Sequence, residues 1–420
     1  MKFARTTLAA LAAGAMALSL AGCGNNSGVD ANGNVTLEFF ANNTEDVYKP
    51  LLTGFQKKNP KIKIKFSTTT GAQAGYQQTL QTRISGGRLP DVFIAPPEQL
   101  PALVKAHAVK DLTSESFMDR IGDTNKEQSS VDGKVWTMSI SSWSNAMAYN
   151  KDLLAKAGYD KLPETWDEFL DMLVKLKQAG VKEPYLEPKG GLGAPVEGWL
   201  GAESQGQSQT IDQQISDKKT TFEKAYSPLY AKWEELIKKG VMGSNVTGLG
   251  DDQVRTEFVN GRLAVMPSGY WDVNTFNGAK NLNYSFGLYP KLKASDESFA
   301  PGSADSGYAI SAKLSGEKLK AAEKFLDYIS SPEGLKTAQD ALGSIPSTKN
   351  FTPQLDEKFK EPYEQYIKKG NIYLNSIGWD ITGRSTLRGA TYSELAQVAL
   401  GKESPVQAGK NLDAKLATLR

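Results

Sequence analysis

The chain has 420 residues, with 49 Lys and Arg against 47 Asp and Glu, one His and one Cys. That near-balance offers no basic surface of the kind nucleic acid requires. The lone His107, in the loop-like run Ala106 to Lys110, argues against Ser-His-Asp catalysis and His/Cys metal centres. No metal or cofactor is expected and no catalytic residue is assigned; an enzyme of this composition would have to work with carboxylates.

The chain begins with Lys2 and Arg5, an apolar run from Leu8 to Leu20, and small residues up to Cys23. This is the pattern of an export leader, and the run is shorter than the roughly 20 residues that cross a bilayer. Leu20-Ala21-Gly22-Cys23 resembles the bacterial lipobox. The resemblance implies that residues 1–22 are a lipoprotein signal peptide and that Cys23 becomes the acylated first residue. A plain secretory leader with an incidental cysteine is the alternative. Acyl chains bury about 0.8 kcal/mol per CH₂, so lipidation would hold the protein at the outer face of the cell membrane without a spanning helix. An acylated Cys23 leaves no thiol for a disulfide, so a large core must stabilise the chain. Without Lys2 and Arg5, the 49 basic residues fall to 47, equal to the 47 acidic ones. Residues 23–34, rich in Gly and Asn, read as a flexible tether reaching about 15–20 Å.

Order is expected from Val35. VTLEFFAN (35–42) reads as a strand, Tyr48 to Lys58 as an amphipathic helix, and KIKIKF (61–66) as a half-exposed strand. A helix over 75–85 and the apolar LPDVFIA (89–95) complete a strand–helix alternation. This order predicts an α/β sheet flanked by helices. Asp91 reads as structural. Neither a G-x-G-x-x-G nor a P-loop follows the first strand, which disfavours nucleotides. Further on, Thr165 and Glu168 form a capping-box pattern for a helix ending at Gly180. Helices are expected over 221–239 and 251–260, and LAVMP (263–267) reads as a buried strand. GYAIS (307–311) precedes a helix to Ile329, and Ser331-Pro332 and Ser404-Pro405 start two more. Trp136, Trp166 and Trp233 fit packing positions.

Several stretches together resemble the family-1 extracellular solute-binding proteins of bacterial ABC importers, the maltose-binding-protein type. They are GGRLPDVFIAPPEQL (86–100), AMAYNKDLLAKAG (146–158), LPETWDEFLDML (162–173), EFVNGRLAVMPSGYWD (257–272), KAAEKFLDYISSPEGLK (320–336) and GSIPSTKN (343–350). The resemblance implies a type II periplasmic-binding-protein fold: two α/β lobes, a hinge and a ligand cleft between them. The lobes are expected at 35–143 plus 291–335 and at 144–290 plus 336–420, with crossings near 140–147 and 285–292. It also implies a monomeric receptor that delivers a carbohydrate, an oligosaccharide, to an ABC permease with its ATPase.

A sugar site needs aromatic plates for C–H faces and fixed carboxylates or amides for hydroxyls. Trp271, which matches the family's sugar-stacking tryptophan, ends an expected strand beside Tyr270 and Asp272. Asp272 reads equally as a hydroxyl acceptor or a helix cap. Trp143 sits among Ser and Asn at the first crossing. Trp199 and Glu197 open a helix after a Gly-rich loop, where burial is an equal reading. Glu98 follows a strand end, either as a ligand contact or as an acid at a helix start. Asn43 and Glu45 follow the first strand, and Asp305 precedes a late one. Trp379, between Gly378 and Gly383, completes the set. An exported carboxylate-pair glycosidase and a binding protein for a peptide or other solute are the competing functions.

Overall fold

The computed structural model describes residues 29–69, 73–381 and 383–420, so the expected leader and Cys23 lie outside the described residues. Its first sheet starts with β1 (Val35–Phe40), followed by α1 (Glu45–Lys58) and β2 (Ile62–Ser67). Helix α2 (Gln73–Ser85) then leads to β3 (Val92–Ala95). β1 lies between β2 and β3, parallel to both. Val35, Leu37 and Phe39 point into the core while Thr36 and Glu38 face solvent. Every residue of β3 is buried, as its unbroken apolar run requires. α1 presents Tyr48, Leu51, Leu52 and Phe55 on one face. Fully burying such side chains contributes about 1.5–3 kcal/mol each. The Asp91 carboxylate accepts from Glu38 N at 2.9 Å and Lys318 Nζ at 2.8 Å, tying β3 to β1 and to a later helix.

The second lobe opens with β4 (Ser142–Asn150), α3 (Trp166–Gln178), β5 (Glu183–Tyr185) and α4 (Ala194–Ser204). It continues through β6 (Leu263–Gly269), β7 (Tyr284–Gly287) and β8 (Ala300–Ala304). The chain then returns to the first sheet with β9 (Gly307–Ile310), antiparallel to β3. Helices α5 (Gly316–Ile329) and α6 (Pro332–Leu342) follow. β10 (Ile372–Tyr373), α7 (Arg384–Ala399) and α8 (Pro405–Leu419) complete the second lobe. Its sheet runs β10-β8-β4-β6-β5, with β7 also on β4. Each sheet has its own buried apolar core. No helix among the described residues is long and apolar enough to cross a membrane.

Three local expectations change. The tether expected over 23–34 is ordered from Val29, which bridges Val35, while Asp30 Oδ1 accepts from Asn32 N and Asn34 N, both at 2.8 Å, in a turn. Thr165 precedes α3, but its hydroxyl donates to Glu168 Oε2 at 2.7 Å, and its side chain caps no backbone amide. The helix expected over 221–239 is two pieces, Phe222–Ala225 and Ser227–Lys238, because Pro228 lacks the amide that would carry the first piece into the second.

The lobe boundaries also move. Gly302, Ser303 and Ala304 pair antiparallel with Ser144, Trp143 and Ser142, and Ala300 packs in the second core. Residues 291–304 therefore belong with the second lobe, and 285–292 is no crossing. Leu335 and Ala338 of α6 pack in the first core, so the last crossing comes near Leu342–Ile345. Three chain segments pass between the lobes side by side. Ser142 N donates to Ile345 O at 3.1 Å and Asp305 N to Ser141 O at 2.9 Å.

Candidate functional site: the cleft between the lobes

The crossing strands form the floor of a cavity of about 480 Å³. Small residues there, Ser142, Ser144, Ser303 and Ala304, leave it open and lined with hydroxyls. The Ser141 hydroxyl donates to Asp305 Oδ2 at 2.5 Å. Burial raises the Asp305 carboxyl above its ordinary value, against that hydrogen bond. Asn43 and Glu98 line the cavity from the first lobe, at the carboxyl ends of β1 and β3. Open α/β sheets bind ligands at such strand ends.

The second lobe contributes the aromatic wall. β4 sets Trp143 opposite Ser303 of β8 and Asn145 opposite Gly269 of β6. The chain turns directly after Gly269, which brings Trp271 beside Trp143, ring centroids 6.2 Å apart and edge to face. Trp271 stays 52 % exposed. A Cβ on Gly269 would fall 2.2 Å from the Trp271 ring, so the bare backbone is what lets the indole lie there. Gly269→Ala is expected to displace Trp271 and weaken ligand binding while the melting temperature changes little. Calorimetry beside a melting curve checks this, and unchanged affinity would take the indole's position out of recognition.

Three residues that line this space also carry buried polar atoms without partners. Glu98 Oε2, Ser144 Oγ and Ser344 Oγ have no hydrogen-bond partner among the described residues, and all three residues line the cavity. Leaving a buried group unpaired costs about 1–3 kcal/mol.

A second cavity, about 220 Å³, adjoins the first and shares Trp143, Trp271 and Arg388 with it. Glu197 is its buried carboxylate. Tyr392 Oη donates to Glu197 Oε1 at 3.5 Å, and an Arg388 nitrogen lies 3.6 Å from the same oxygen. Burial raises the Glu197 carboxyl above its ordinary range, opposed by the Arg388 charge. A Cβ on Gly198 would sit 2.5 Å from the Phe299 carbonyl oxygen, so this glycine lets α4 press against the approach to β8 and fixes Glu197.

The family model of bacterial extracellular solute-binding proteins matches residues 41–336. The chain belongs to this family. A solved family 1 extracellular solute-binding protein from Bifidobacterium longum subsp. infantis is 32% identical, with a TM-score of 0.84, covering 92% of this chain and 100% of that one. The multiple sugar-binding protein of Streptococcus mutans serotype c is 24% identical over 328 residues, 74% of each chain. The maltodextrin-binding protein MdxE of Bacillus subtilis is 25% identical over 372 residues, 86% of this chain and 85% of its own.

In this solute-binding protein the cleft brings together Trp143, Trp271, Tyr270, Asn43, Glu98 and Asp305 at the larger cavity. Glu197 and Asp272 line the smaller one. Asp272 is engaged within the protein, accepting from Arg255 Nε and Ser268 Oγ, both at 2.6 Å.

Three expected residues stand elsewhere. Trp379 is fully buried, its indole donating to Asp212 Oδ1 at 2.7 Å. Trp199 is buried edge-to-face on Trp166 and donates to the Pro290 carbonyl at 2.9 Å. Glu45 lies exposed in the first turn of α1, where the helix dipole favours an acid, and lines neither cavity.

Sequence reasoning missed Arg388, Tyr392, Ser144 and Ser344. Arg388 and Tyr392 are four residues apart, hence on one face of α7, and that spacing was the available signal. Isolated serines carry none.

Proposed function

We propose that this solute-binding protein captures a neutral oligosaccharide in the cleft and delivers it to an ABC permease and its ATPase. It acts as a monomer, held at the outer face of the cell membrane through lipidated Cys23. One observation carries the sugar reading: a tryptophan pair, Trp271 half-exposed and Trp143 partly buried, stands over a hydroxyl-lined floor with unpartnered buried polar atoms. Aromatic faces suit the C–H faces of sugar rings, and the unpartnered groups suit their hydroxyls. The sugar-binding names of the Streptococcus mutans and Bacillus subtilis relatives support the same class. Closure of the two lobes over the sugar is the motion that such a hinge permits.

Thermal-shift and tryptophan-fluorescence titration with neutral oligosaccharides, peptides and a sugar phosphate tests the reading. At least one neutral oligosaccharide should raise the melting temperature. A ligand at 100 times its Kd stabilises by about 2.7 kcal/mol. The sugar should also be recovered uncleaved after prolonged incubation. A response to peptides alone, or enzymic cleavage of the sugar, overturns the proposal. For the anchor, Cys23→Ala should move the protein from the membrane fraction to the medium. Retention on the membrane would contradict lipidation.

A further inference from the structure

The smaller cavity has a composition of its own. Every residue that lines it comes from the second lobe, so it is complete before the lobes close on a ligand. Apart from Asp251, exposed at its rim, its charges are matched. Arg255 pairs with Asp272 at 2.6 Å and Asp252 at 2.5 Å, and Arg388 stands beside Glu197. A phosphate or uronate would find each arginine there beside a carboxylate, and a metal ion would find Glu197 and Asp272 already engaged by arginines.

Two of its buried side-chain atoms have no hydrogen-bond partner among the described residues: Glu197 Oε2, an acceptor, and Arg388 Nε, a donor. Glu197 is 6% exposed, so bulk water does not stand in for the missing partner. Pro188, Gly190 and Gly191 bound the space with little side chain and no charge. The opening into the larger cavity passes Trp143, Trp271 and Arg388.

We infer that this inner cavity is a subsite for the terminal ring of the ligand, a neutral sugar whose adjacent free hydroxyls bridge Glu197 and Arg388. One hydroxyl donates to Glu197 Oε2 and its neighbour accepts from Arg388 Nε. A vicinal diol supplies that donor and acceptor side by side. The remaining rings extend past the tryptophan pair into the larger cavity, so the ligand has at least two rings and one unblocked end. This inference rests on the sugar reading of the cleft.

The test is calorimetry on the full chain with maltotriose, raffinose and chitotriose. Each sugar that binds is compared with forms deoxygenated or O-methylated on either terminal ring. Blocking one particular end should weaken binding about tenfold or more, the loss of a charge-assisted hydrogen bond. Glu197→Gln should weaken the unmodified sugar to a similar degree, and the blocked sugar should lose little more in that variant. Arg388→Lys gives the same comparison if the Glu197 variant does not fold, and the modified sugars need no variant at all. If sugars bind and respond to Trp271→Ala but tolerate blocking at both ends, the subsite is overturned and the sugar reading survives. If none of a broad neutral panel binds, the sugar reading itself fails, and the subsite with it.

Discussion

Trp271→Ala is expected to weaken saccharide binding by about thirtyfold, the equivalent of about 2 kcal/mol at an aromatic hot spot. The stability of the fold should hardly change. A side chain that is 52% exposed contributes little packing, so its loss leaves no cavity in a core. Trp143→Ala should also cost affinity, and the double variant should lose less than the sum, because the two rings are in contact at 6.2 Å. Titration calorimetry of the three variants beside melting curves gives the result. Wild-type affinity in both single variants would remove the tryptophan pair from the site.

Asp212→Ala should have the opposite profile, a large loss of stability from a position outside the cleft. Asp212 is fully buried and accepts from Tyr226 Oη at 2.6 Å, Trp379 Nε1 at 2.7 Å and Tyr373 Oη. Removing the carboxylate strands three buried donors, each costing about 1–3 kcal/mol, so a loss on the order of 4 kcal/mol or more is expected. Burial pushes Asp212 up from 3.8 to about 7, against the hydrogen bonds from Tyr226, Tyr373 and Trp379. Glu187, also buried, rises from 4.5 to about 7. The folded state therefore holds these two protons more tightly than the unfolded chain does. Their stabilising contribution is full below about pH 4 and is lost as pH rises through about 7. Asp111 works at lower pH: held near 2 chiefly by the Thr113 hydroxyl, it loses its contribution only below about pH 4. Urea unfolding at pH 5, 6, 7 and 8 should show falling stability, and Asp212→Asn should flatten that fall. An unchanged pH slope in the variant would assign the dependence to other groups.

These two tryptophan environments explain which parts of the site the sequence could disclose. Trp271 and Trp379 each stand near a glycine, but the glycines do different things. Gly269 leaves room for an indole that folds back over the backbone beside the cleft. A Cβ on Gly378 would lie 2.7 Å from Asp212 Cβ, so there the glycine marks tight packing against a buried carboxylate. Trp199 follows Gly198, another packing glycine. Residue type alone does not separate these cases, since the difference lies in what the third dimension puts opposite the glycine.

The first sheet was legible because alternation in β1 and β2 and the apolar run in β3 are local properties. The second crossing was misplaced because β8, Ala-Pro-Gly-Ser-Ala, has no apolar period. Its small residues make sense only against β4, where a Cβ on Gly302 would meet the Trp143 carbonyl oxygen at 2.5 Å. The charged inner cavity was half visible: Glu197 could be picked out, but its partner Arg388 lies 191 residues away on α7.

The most direct measurement is a crystal structure of the full chain with a neutral oligosaccharide that shifts its melting temperature. Sugar rings are expected against Trp143 and Trp271, with hydroxyls on Glu98, Ser144 or Ser344 and both lobes in contact with the ligand. A sugar bound outside the cleft, as in the outer groove lined by Lys156, Glu183 and Arg262, with the tryptophan pair uncovered, would contradict that expectation.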